Sequence, residues 1–107
     1  MALTEITDEN FTSLTGSGKL ALISFCAGWC NSSKMIGPVL NDLANEVKEN
    51  ILIGRVNVDA SPGISKQFGI SSVPALLFFK NGVEIYRQIG AAPKDVINAK
   101  LISLSKP

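Results

Sequence analysis

Apolar and polar residues switch between two periods along this chain, and the switches mark out its elements. Residues 19–25, KLALISF, form a continuous apolar run rich in branched side chains, the pattern of a strand covered on both faces of a sheet. Residues 51–59, ILIGRVNVD, read as a second buried strand. Between them, from about Ser32, residues Met35, Ile36, Val39, Leu40, Leu43, Ala44 and Val47 recur at spacings of three and four. That stripe predicts an amphipathic helix ending before Asn50, with a kink at Pro38. Near the amino end, residues 3–6 suit a short edge strand. Thr7 followed by Asp8, Glu9 and Asn10 is a helix start, with an N-cap oxygen and acids in the first turn. This first helix is expected to stop near TGSG, residues 15–18.

In the second half a loop, ASPG, leads into one or two helical turns over residues 64–68. Asn81 and Gly82 are the preferred pair for a tight two-residue hairpin, so residues 75–80 and 84–89 are predicted to pair antiparallel. Pro93, favoured in a first turn, opens a last helix through Val96, Ile97, Ala99, Lys100, Leu101 and Leu104. No repeat or linker interrupts the order, which predicts one α/β domain over residues 1–107, a central mixed sheet with helices on both faces.

Composition narrows the function. With 107 residues, 46% apolar and 18% charged, the chain fits one soluble globular domain. A formal net charge of +1 makes no electrostatic case for nucleic acid or an anionic membrane. No apolar run approaches the ~18–20 residues of a membrane span, and MALTEITDEN lacks the layout of a signal peptide. A cytoplasmic monomer is the expectation. Two cysteines are too few for a disulfide framework, and the lack of histidine removes most zinc patterns, so neither metal nor cofactor is expected.

The candidate chemistry lies in ISFCAGWCNSSKMIGPVL, residues 23–40, where Cys30 stands between a strand-like and a helix-like run. A thiol in the first turn of a helix faces unsatisfied N–H groups and the positive end of the dipole, which lower its pKa from ~8.5 toward 7 or below. Flanked by Trp29 and by the polar run Asn31, Ser32 and Ser33, Cys30 is read as a nucleophile rather than an inert buried thiol.

This order of elements, with Trp-Cys at the strand-to-helix junction, resembles the thioredoxin family over essentially the whole chain. AGWCNSSKMIGPVL is similar to the family's Trp-Cys-x-x-Cys-Lys-Met helix with its kinking proline, matched here by Trp29, Cys30, Lys34, Met35 and Pro38. VNVDASPGISKQFGISSVPALLFFKNG is similar to the family's second half, including the Val73-Pro74 bond that the family holds in cis opposite the active cysteine. Gly90 falls where the family has a glycine lining the substrate groove. The resemblance implies a thioredoxin fold and a thiol-disulfide oxidoreductase acting on protein disulfides, with thioredoxin reductase or glutathione as redox partner. It also implies that Trp29 offers an apolar surface beside the sulfur, and that Val73 and Pro74 receive an extended substrate segment by strand addition.

The departures from the family matter most. Ser33 stands where the family has its second cysteine, the thiol that attacks the mixed disulfide and releases substrate. A hydroxyl cannot do this, though it can hydrogen-bond to the thiolate. Ser24 stands where the family usually carries a buried acid that accepts the second thiol's proton, and residues 19–25 hold no carboxylate. The two losses fit a monothiol site whose mixed disulfides an external thiol opens, giving isomerase or deglutathionylating activity. The alternatives are a binding module without turnover, and a dithiol thioredoxin in which Ser33 is an engineered trap; for Ser24 the alternative is a hydroxyl that satisfies itself in the core. A glutathione-held iron–sulfur cluster, as in monothiol glutaredoxins, lacks a glutathione-binding signature. Cys26 stands where the family usually has tryptophan. It either resolves in place of Ser33, if residues 27–29 turn tightly enough for the ~4.4–6.8 Å a disulfide needs between α-carbons, or packs as a structural thiol. Lys34 and Arg55, the latter where the family often has lysine, are read either as supporting positive charges near the thiolate or as solvated charges, the second being the better reading for Lys34, and Asp59 is expected to close its strand.

Overall fold

In a computed structural model of the chain the elements follow in the order β1 (Thr4–Ile6), α1 (Phe11–Thr15), β2 (Leu20–Cys26), α2 (Asn31–Glu46), β3 (Ile51–Asn57), α3 (Pro62–Gln67), β4 (Ala75–Lys80), β5 (Val83–Ile89) and α4 (Lys94–Ser105). The structure describes residues 3–16, 18–27, 31–46 and 51–105, with the backbone alone at residues 31–34. The strands form one five-stranded sheet in the order β1-β3-β2-β4-β5. β1, β3 and β2 run parallel, and β4 and β5 run antiparallel to their neighbours. Among the described residues no helix is long and apolar enough to cross a membrane.

Strand alternation divides the core into two layers. Leu20 and Leu22 of β2 join Ile53, Leu76 and Phe78 on the face covered by Ile36, Leu40 and Leu43 of α2 and by Ile97 and Leu101 of α4. Ala21, Ile23 and Phe25 point the other way, to Phe11 of α1 and Ile64 of α3. On that side Phe79 meets Phe11 and Phe68 at ring separations of 5.4 and 5.1 Å, both edge-on. Phe79 is fully buried, so Phe79→Ala removes packing worth about 3–5 kcal/mol. In a chain of this size, the thermal unfolding midpoint followed by circular dichroism is expected to fall by about 15 °C or more. Met35→Ala, at a residue 73% exposed, is expected to leave the midpoint within a few degrees.

That exposure of Met35 corrects the expected stripe. The buried arc of α2 is set by Ile36, Leu40, Leu43 and Ala44, and Met35 lies one helical step outside it, with Val39 only half-buried. Pro38 lies within α2 without ending it. β3 also differs from expectation: it ends at Asn57, and Arg55 is exposed. The neighbour of β3 on that side is the three-residue β1, too short to support cover on both faces.

Thr7 and Asn10 make the reciprocal bonds of a cap: the Thr7 N–H donates to Asn10 Oδ1 at 2.7 Å and the Asn10 N–H to Thr7 Oγ1 at 3.3 Å. Regular helix begins only at Phe11. Asp8 does not serve this helix; its carboxylate accepts from the Gly63 and Ile64 N–H groups of α3 at 3.2 and 2.9 Å, capping a helix 55 residues away in sequence. A β-carbon on Gly63 would sit 2.8 Å from that carboxylate, so a side chain there would displace the Asp8 cap. The hairpin is as predicted: Asn81 and Gly82 have φ of 52° and 83°, the pair of positive values that matches strand twist in a two-residue turn.

Candidate active site

The carboxyl ends of β2 and β3 and the start of β4 come together at one end of the sheet. Phe25 pairs with Val56 of β3 and with Ala75, the residue after Pro74, so the end of β2 adjoins the Val73-Pro74 bond. That bond is cis, as the resemblance implied. Pro74 is buried, and its carbonyl accepts the Gly90 N–H at 2.8 Å, which ties the loop before β4 to the chain leaving β5. Gly90 has φ of +92°, a conformation that disfavours any side chain. Two of the expected substrate-binding positions, Pro74 and Gly90, are therefore in direct contact.

Ser24 and Cys26 follow Leu20 and Leu22 along β2, on the face shared with α2 and α4. Ser24 is fully buried, and its hydroxyl has no hydrogen-bond partner among the described residues. An unpaired buried hydroxyl costs about 1–3 kcal/mol, and among the described residues none offsets that cost for Ser24. Cys26, half-buried, donates its thiol proton to the Val56 carbonyl at 3.3 Å. Burial pushes the Cys26 thiol up, Arg55 opposes that shift, and Glu5 adds to it. Both the direction of that shift and the bond to Val56 favour the protonated thiol.

Arg55 lies opposite both Glu5 and Ser24 in the sheet register. Its Nε reaches Glu5 Oε1 at 3.0 Å, with both side chains 53% exposed, an arrangement worth about 0–1 kcal/mol. Its charge is thus directed to β1 and, more weakly, to Cys26. At the end of β3 the turn is made by Asn57, whose Oδ1 accepts the N–H groups of Asp59 and Ala60 at 2.9 and 3.3 Å. Asp59 contributes its N–H there, not its carboxylate. Neither Glu5 nor Asn57 was singled out in the sequence. For Asn57 the signal was present, an asparagine at the close of an apolar run; for Glu5 only strand order brings it to Arg55.

Trp29 and Cys30, and with them the Cys26–Cys30 pairing, lie outside the described residues. Asn31, Ser32, Ser33 and Lys34 form the first turn of α2 by their backbone, and their side chains lie outside the described residues. That turn contains no acidic residue to offset the positive end of the 16-residue helix. Among the described residues no group of three or more histidines, cysteines or acids is placed to hold a metal ion.

Comparison with known proteins adds independent findings. The sequence model of the thioredoxin family matches residues 2–103. Thioredoxin 2 of Chlorobaculum tepidum is 40% identical over 98 residues, spanning 91% of this chain and 90% of its own length. The thioredoxin of Chlamydia caviae is 46% identical over 90 residues, 84% of this chain and 86% of its own. Among solved structures, the thioredoxin of Malassezia sympodialis superimposes with a TM-score of 0.85 at 32% identity, over 94% of this chain and 90% of that one.

Proposed function

The chain belongs to the thioredoxin family of thiol-disulfide oxidoreductases, and from that premise we propose that it works with one sulfur, Cys30, and depends on an external thiol to complete each turnover. The observation that carries this reading is Ser33, in the family's place for the second cysteine. The orphaned Ser24 hydroxyl supports it, since a fully buried position that would suit a base carries none. Cys30 immediately precedes the first residue of α2 in sequence, and a helix start without acids favours a thiolate there.

Cys30 thiolate attacks one sulfur of a substrate disulfide; that S–S bond breaks, one substrate thiolate leaves, and a mixed disulfide with Cys30 forms. A serine hydroxyl at position 33 can donate a hydrogen bond to a thiolate but cannot open the mixed disulfide. A second thiolate does so, from glutathione or from the substrate itself, restoring Cys30. With a glutathionylated protein the net reaction yields the free protein thiol and oxidised glutathione; with a substrate's own thiol it yields a rearranged disulfide. In this reading Trp29, Val73, Pro74 and Gly90 receive the substrate segment, and the polar residues Asn31, Ser32 and Lys34 that follow Cys30 in sequence support the sulfur. A glutathione-containing, reducing compartment such as the cytoplasm suits this cycle, with the protein acting as a monomer.

Exposure of the reduced protein to excess oxidised glutathione, followed by intact mass and peptide mapping, tests the reading. A stable adduct of one glutathione on Cys30 is expected, because burial and the bond to Val56 favour the protonated form of Cys26. Loss of two hydrogens without a lasting adduct would instead mean that Cys26 closes onto Cys30, and the monothiol reading would fall.

A further inference from the structure

On the α4 side of the β4–β5 hairpin the packing leaves an open trough. Its floor is two cross-strand pairs, Leu76 opposite Gln88 and Phe78 opposite Tyr86. Its wall is α4, where Ile97 is buried against the same sheet face. From α4 the lining also takes Val96, Lys100 and the short side chains Ala99 and Ser103, one turn apart. A cavity of about 220 Å³ lies between α4 and the two strands.

One charge stands at this trough. The Lys100 ammonium lies 4.1 Å from the centre of the Tyr86 ring, which fixes it at the edge. Among the described residues it has no carboxylate partner, since the ion pairs there use Arg55, Arg87 and Lys94. An apolar floor, one positioned cation, and Gln88 and Ser103 as hydrogen-bonding groups at the lining match a molecule with an apolar body and a single anionic end. A cation would be repelled, and a neutral apolar guest would desolvate Lys100 without a counter-charge.

We propose that this trough is a binding site for a small amphipathic carboxylate, its apolar body over Leu76, Phe78 and Ile97 and its carboxylate on Lys100. The site uses none of the residues assigned to the chemistry at Cys30. Ala92, which lines the trough, is two residues from Gly90, whose N–H donates to the Pro74 carbonyl.

The test is a titration of the ¹⁵N-labelled full chain with octanoate at neutral pH, read by amide chemical shifts, with octanol and octyltrimethylammonium as matched controls. Saturable shifts are expected at amides of β4, β5 and α4 and at Gly90 and Ala92, with a sub-millimolar dissociation constant. Octanol should bind about tenfold more weakly and the ammonium compound not at all. Lys100→Gln should weaken octanoate about tenfold while leaving octanol unchanged, and Ala99→Leu should abolish both by filling the space. Non-saturating shifts, shifts centred elsewhere, or equal affinity for octanoate and octanol would overturn the proposal. Protein-concentration-dependent shifts at these amides without octanoate would overturn it too, assigning the trough to a second copy of the chain.

Discussion

Ser33→Cys is expected to raise insulin reduction, coupled to NADPH and thioredoxin reductase, about 10²-fold over the unmodified chain. The reason is the change from a bimolecular to an intramolecular second step. With serine at position 33, each mixed disulfide on Cys30 waits for a thiol from solution, and the reductase receives no protein disulfide to reduce. With cysteine there, a tethered thiol attacks the Cys30 sulfur, substrate leaves, and Cys30 and the introduced thiol are left joined in a disulfide that the reductase can open. The gain should be incomplete. Ser24 is buried without a carboxylate to take the second thiol's proton, so Ser24→Asp added to Ser33→Cys should increase the rate by about a further tenfold. That second change places an acid in a fully buried position and should lower thermal stability. If Ser33→Cys leaves insulin reduction at background while the variant folds, the site is not a dithiol site lacking one sulfur, and the binding-module reading gains.

Cys30→Ser is expected to remove deglutathionylation of a glutathionylated protein, followed in a glutathione reductase-coupled assay, by about 10³-fold or more. A serine hydroxyl is not ionised at neutral pH, and no other group described at this end of the sheet replaces it. Cys26, the other sulfur, is pushed up by burial and spends its proton on the Val56 carbonyl. Cys26→Ser should therefore leave the activity within about twofold, since it loses one weak hydrogen bond. Activity that survives Cys30→Ser but disappears with Cys26→Ser would exchange the roles of the two sulfurs. Partner capture that survives Cys30→Ser with no turnover in either protein would identify a binding module.

Much of the site and fold was legible because the relevant physics is local. The Asn81-Gly82 pair dictates its own positive φ values, and the apolar spacing of Ile36, Leu40 and Leu43 dictates a helix face, whatever the rest of the chain does. The motif around Trp29, Cys30 and Ser33 is a statement about residue identity, and the missing second thiol is read from the sequence alone. Met35 was misjudged because helical spacing gives a stripe's centre more firmly than its width, and the width depends on what lies underneath.

The sequence by itself determined the kinds of element, their order and the hairpin, because each follows from contacts within a few residues. Only the tertiary structure decided the strand order β1-β3-β2-β4-β5, which sets Arg55 between Glu5 and Ser24. It alone placed the Asp8 carboxylate on the first turn of α3, left the Ser24 hydroxyl without a partner among the described residues, and left a trough between α4 and the hairpin. Those outcomes depend on which distant surfaces meet and how well their volumes match, and neither periodicity nor local propensity carries that information.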